Sequence, residues 1–103
     1  TLSLRGEEAG AIFGAALEAS GENPLARATV LLNFGWTHER AGSRADAERA
    51  YLDAARLARE AGATEIAARV YNNLGALHHQ RGALAAAQEA YEQGLAFAQA
   101  AGE

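Results

Sequence analysis

Residues 68–102 read ARVYNNLGALHHQRGALAAAQEAYEQGLAFAQAAG, and residues 28–62 read ATVLLNFGWTHERAGSRADAERAYLDAARLAREAG. Laid over one another without a gap, at a shift of 40 residues, they agree at 13 of 35 positions. The agreements include Asn33/Asn73, Gly35/Gly75, His38/His78, Gly42/Gly82, Ala47/Ala87, Ala50/Ala90 and Tyr51/Tyr91. Shared alanines are expected where 28 of 103 residues are alanine, but shared Asn, Gly, His and Tyr are not. The chain is therefore built from an internal repeat, and the repeat decides the fold.

Each unit reads as two helices. In the second, Ile66, Val70, Leu74 and Leu77 step by helical spacing, Gly82 interrupts, and Leu84, Ala87, Tyr91, Leu95 and Ala98 form the next stripe before Gly102. The first unit repeats the plan. Val30, Phe34 and His38 precede Gly42, and Ala47, Ala50, Tyr51, Ala54 and Leu57 lead to the stop at Gly62. Glycine suits these breaks because it adopts a left-handed backbone without steric cost. An earlier stretch carries Ile12, Phe13 and Leu17, and Pro24 fits the first turn of the helix after it. The pattern predicts an all-α protein of five helices, over 5–20, 24–41, 44–61, 64–81 and 84–101, in antiparallel hairpins joined by short loops.

Composition agrees. Without alanine only 23 apolar or aromatic side chains remain, enough for one small domain over 1–103. There is no cysteine, hence no disulfide and no thiolate metal site. No apolar run approaches the roughly 20 residues of a membrane span, and no signal segment opens the chain. All nine basic residues are Arg, the net charge is −4, and no basic stripe suggests nucleic acid. Arg, Ala and Gly in abundance with no Lys suggest a GC-rich genome, hence a bacterium and the cytoplasm.

The strings Asn73-Leu74-Gly75, His78, Gly82, Ala87, Tyr91 and Ala98, matched by Asn33-Phe34-Gly35, His38, Gly42, Ala47, Tyr51 and Ala54, resemble the tetratricopeptide repeat (TPR). The resemblance covers about residues 24–102. The period is longer than the usual one, like the long-helix variety in scaffold proteins, kinesin light chains and bacterial signalling regulators. His38 and His78 replace an aromatic of the motif, and Gly62 and Gly102 replace its terminal proline. The resemblance implies a right-handed solenoid of about two and a half repeats: a half repeat over 5–20, then 24–62 and 64–102. The first helix of each pair would line a concave face. Gly35 and Gly75 would mark close helix approach, Ala47 and Ala87 the small residues opposite them, and Tyr51 and Tyr91 the knobs filling the gap to the next pair.

On that face the candidate peptide-binding residues are Asn33, Trp36, Arg69, Asn72, Asn73 and His79, accompanied by Thr29, Leu32, Glu39, Arg40, Ala76 and Gln80. Asn33 and Asn73 either hydrogen-bond the backbone of an extended peptide or brace neighbouring helices. Trp36 is either a binding hot spot or, the simpler choice, a packing residue beside Ile12 or Phe13. Leu32, Trp36 and Ala76 stand where a carboxylate-gripping groove would need polar groups, so that activity is not expected.

No catalytic set is visible. His78 and His79 are adjacent and diverge around a helix, so neither a metal nor a cofactor is expected. Ser3, Ser20 and Ser43 lie near helix ends, as caps would, and Glu7-Glu8 would favour the dipole at a helix start. The expected function is a protein-interaction module, not an enzyme, receiving a peptide or partner protein. Its alternatives are a self-association scaffold and a sensor segment of a bacterial signalling or transcription regulator. The chain reads as a fragment of a longer array. Its two ends would expose apolar side chains (Ile12 or Phe13, and Leu95 with Phe97) for a second copy or more of its own chain to cover.

Overall fold

The computed structural model describes the backbone of residues 2–102 and the side chains of Glu8 and residues 10–102. It is all-helical, with five helices: α1 Leu2–Ser20, α2 Pro24–Arg40, α3 Arg44–Glu60, α4 Thr64–Gln80 and α5 Leu84–Ala101. Four of the five match the periodicity to within a residue at each end. Helix α1 starts three residues earlier than predicted, which puts Glu8 beyond its first turn and removes the dipole role given to Glu7-Glu8. The side chains of Ser3 and Glu7 lie outside the described residues. Among the described residues, no helix is long and apolar enough to cross a membrane.

The turns show why the helices stop where they do. Gly42, Gly62 and Gly82 have φ of 82°, 66° and 76°. That left-handed step lets the next N–H reach back five residues: Ser43 to the His38 carbonyl, Ala63 to Ala58 and Ala83 to His78, at 2.8–2.9 Å. Orphan carbonyls are thereby satisfied at each stop. Gly102 does not follow. Its φ is −77° and its N–H donates to the Ala98 carbonyl, continuing the helical ladder instead of reversing it.

Serine does not cap. Ser20 Oγ donates back to the Ala16 carbonyl at 2.8 Å, and Ser43 makes no side-chain cap bond, although it is the N-cap residue of α3. The cap is Asn23, whose Oδ1 accepts from the Ala26 N–H at 3.2 Å ahead of Pro24. The facing end of α1 is closed by Arg27. Its Nη1 donates to the carbonyls of Leu17 (3.2 Å) and Gly21 (3.1 Å), putting a cation on a helix C-terminus. Asn23→Ala is expected to cost about 1 kcal/mol in a urea melt. An unchanged midpoint would show that Pro24 and Arg27 suffice to fix this corner.

Helix α3 lies between α2 and α4, and its buried face is mostly alanine: Ala47, Ala50, Ala54, Ala55 and Ala58 around Tyr51 and Leu57. Small side chains let the backbones close in. The glycines are crowded in both units, but by the tyrosine expected in the gap to the next helix pair. A Cβ on Gly35 would lie 2.6 Å from the Tyr51 ring, and one on Gly75 2.6 Å from the Tyr91 ring. Each tyrosine ring thus packs against a glycine of its own hairpin. Ala47 and Ala87 are buried opposite. The same superposition relates a second pair of positions. Leu31 and Leu57 are buried in the first unit, and their counterparts Tyr71 and Phe97 stack at 5.7 Å in the second.

Two stripes differ from expectation. On α2 the buried residues are Ala28, Leu31, Leu32 and Gly35, while Val30, Phe34 and His38 are half-buried. Helix α2 has neighbours on more than one side, so one stripe cannot describe it. Phe34 meets Phe13 of α1 at 4.8 Å and His38 at 4.3 Å, which places His38 in the half-buried packing role expected of it. On α5 Ala87, Ala90 and Gly94 are buried, but Leu84, Tyr91, Leu95 and Ala98 are exposed. Of the terminal residues expected to be uncovered, Ile12 and Leu95 are, whereas Phe13 and Phe97 are engaged in these aromatic pairs.

Candidate functional site

The helices are not evenly spaced. Among the described residues α2 and α4 touch, while α3 and α5 do not. The helices α2 and α4 therefore share a seam.

A polar cluster forms that seam. Tyr51 rises from α3 and its hydroxyl donates to Glu39 Oε1 of α2 at 2.7 Å. Gln80 Nε2 of α4 donates to the other carboxylate oxygen at 3.4 Å. The Asn73 amide of α4 lies against the same hydroxyl. Burial raises the Tyr51 phenol well above its ordinary range, the hydrogen bond to the Glu39 carboxylate and its charge raise it further, and Asn73 opposes them. Tyr51 therefore stays a donor at any physiological pH, and Glu39 a satisfied acceptor. Three helices meet in this cluster, a role for Glu39 and Gln80 that periodicity alone does not give.

The six candidate residues divide into two groups. Asn33 and Trp36 stand exposed on α2, and Asn73 is half-buried on the seam. Phe34, not Trp36, takes the place beside Phe13 on α1. Trp36 is 52% exposed, with the Arg40 guanidinium 4.8 Å from its ring centroid. Leu32, assigned to the groove by spacing, is buried in the core. Arg69, Asn72 and His79 form the second group. They are exposed on α4 and border depressions completed by Tyr91 and Leu95 of α5. The paired asparagines are consequently not equivalent. Asn73 meets Tyr51, but the α1 residue one period before Tyr51 is Ala11, so Asn33 has no hydroxyl to brace there.

His78 and His79 line separate depressions, as their divergence predicts. Among the described residues no three His, Asp or Glu side chains gather as metal ligands. The ion pairs are mostly exposed and within one helix. Among the described residues, the pair that joins two helices is Arg81 of the α4 cap with Glu48 of α3, at 2.7 Å. No family model matches the chain, and neither a curated protein nor a solved structure matches it.

Proposed function

We propose that the chain is a TPR-like interaction module that takes a peptide or partner segment along the α2–α4 seam. The observation that carries the reading is the juxtaposition there of satisfied and unsatisfied polar groups. Glu39, Tyr51 and Gln80 consume one another and make a fixed floor. Asn33 keeps its side-chain amide exposed, and Trp36 with Arg40 offers a flat cation-backed ring. An exposed amide can both donate to and accept from an extended backbone, and a rigid aromatic gives contact area at small entropic cost. The repeated glycine–tyrosine contact and the closing of α2 on α4 fit a stack curved around that surface.

The test is selection from a displayed library of 12-residue peptides, followed by anisotropy with the selected sequence. Asn33→Ala and Trp36→Ala are expected to weaken binding at least tenfold and leave the circular-dichroism melt unchanged, since both residues are exposed. Asn73→Ala is expected to weaken binding and also lower the melt, because it touches Tyr51. A selected peptide that binds the Asn33→Ala, Trp36→Ala double variant as tightly as the wild type overturns the reading.

A further inference from the structure

Helix α1 is held differently from the other four. Among the described residues it touches α2 alone and has no hairpin partner, while α2 with α3 and α4 with α5 close as hairpins. Its counterpart one period later, α3, buries seven residues, whereas none of the described side chains of α1 is buried. Two anchors of α3 have no equivalent on α1. Buried Tyr51 corresponds to exposed Ala11, and the Arg81–Glu48 pair at 2.7 Å corresponds to Ala41 and Glu8, which cannot form an ion pair. Gly10 and Gly14 stand inside the helix without a close neighbour to require them. A Cβ on either would meet nothing within 4 Å, unlike one on Gly35 or Gly75. Each therefore weakens the helix with no packing in return. A free helix of this length with such residues does not persist in water, so α1 is helical only while docked.

The corner between α1 and α2 is also closed by different means. After Gly42, Gly62 and Gly82, a backbone N–H takes the carbonyl four residues before the glycine. Gly21 has the same left-handed backbone, with φ of 59°, but the equivalent carbonyl, that of Leu17, accepts from the Arg27 side chain at 3.2 Å. The same Nη1 reaches the Gly21 carbonyl at 3.1 Å. One side chain of α2 thus does what the backbone does at the other three turns. We infer that residues 10–20 form a detachable strap with Arg27 as its latch: the strap leaves α2 by local unfolding about Gly21 while α2–α5 stay folded. Besides the latch, its hold is the Phe13–Phe34 stack at 4.8 Å and Leu17 packed against the core. Release uncovers the Phe34 ring, next to Asn33 in the chain, and so changes what the α2 edge of the proposed seam presents. The release itself does not depend on the peptide-binding reading, and its test uses no ligand.

The experiment is native-state hydrogen exchange of the intact chain, read amide by amide by NMR, in buffer and in urea below the unfolding transition. Amides of residues 14–20 are expected to exchange about a hundredfold faster than those of residues 67–77 in α4. Their exchange should depend little on urea, because one departing helix exposes little surface. Arg27→Gln should speed exchange over 14–20 about fivefold further and leave 67–77 unchanged. Gly10→Ala with Gly14→Ala should slow it by about tenfold or more, since a docked helix and a coil then differ by two better helix formers. Exchange over 14–20 at the rate of α4, with the same urea dependence, overturns the proposal, because α1 would then belong to one cooperative unit. An Arg27→Gln variant that exchanges over 14–20 as the wild type does, or that speeds both segments equally, overturns the latch.

Discussion

Gly35→Ala is expected to lower the stability of the chain by about 2 kcal/mol, while Gly75→Ala, the same change one period later, is expected to cost almost nothing. In both, alanine gains about 1 kcal/mol of helix propensity over glycine. In both, the added Cβ would sit 2.6 Å from a tyrosine ring, too close to stand. The rings differ in their freedom to move. Tyr51 is fully buried and its hydroxyl is tied to Glu39, so the clash must be absorbed by moving helices, an overpacking cost of about 3 kcal/mol. Tyr91 is exposed at its outer edge and can swing away. Urea titration followed at 222 nm separates the two, and thermal melts should place Gly35→Ala about 10 °C below the wild type. Leucine at Gly35 leaves no such accommodation and should abolish the cooperative transition. A Gly35→Ala variant that melts at or above the wild type would show that α2 and α3 are not held at the separation described.

Tyr51→Ala should be comparably severe, about 4 kcal/mol, because it empties the space of the largest fully buried side chain. Tyr51→Phe separates packing from polarity. It keeps the ring on Gly35 and removes the donor from Glu39, and about 1.5 kcal/mol is expected for a bond to a half-buried carboxylate. The two variants also predict a pH dependence. The folded phenol holds its proton above the ordinary range, chiefly through burial and then through Glu39. The unfolded phenol releases it near pH 10. Stability from this group is therefore complete below about pH 10 and falls by about 1.4 kcal/mol per unit above it, since the unfolded state then binds fewer protons. Tyr51→Phe should flatten that alkaline limb by one proton's worth of slope. Equal slopes in the two proteins would place the Tyr51 hydroxyl in contact with solvent.

What was legible in the sequence follows the range of each interaction. The recurrence of Gly35 and Gly75 made a tight approach there readable, but not its partner, because the tyrosines assigned to the gap toward the next helix pair lie on the glycines of their own hairpins. Turns at Gly42, Gly62 and Gly82 were readable for the same reason, since a left-handed step needs only local chemistry. Periodicity could not say what covers a face. Tyr51 and Tyr91 occupy matching stripes, yet one is core and the other surface, because α4 lies over the first alone. The seam was hidden more deeply. Glu39 and Gln80 are 41 residues apart, and Asn73 differs from Asn33 only through Tyr51, whose counterpart before α2 is Ala11. Spacing did not say which α2 aromatic meets Phe13, and the structure puts Phe34 there.

The alanine face of α3 also determines how this protein can change over generations. A core of leucines degrades by losing volume, and larger neighbours often repack into the gap. Ala47, Ala50, Ala54, Ala55 and Ala58 have almost nothing to lose, and a single base change in an alanine codon mostly yields something bulkier or polar. Drift at these positions therefore pushes helices apart instead of hollowing the interior. Mutational tolerance should be lowest where the side chains are smallest, and compensation should come from trimming the residue opposite.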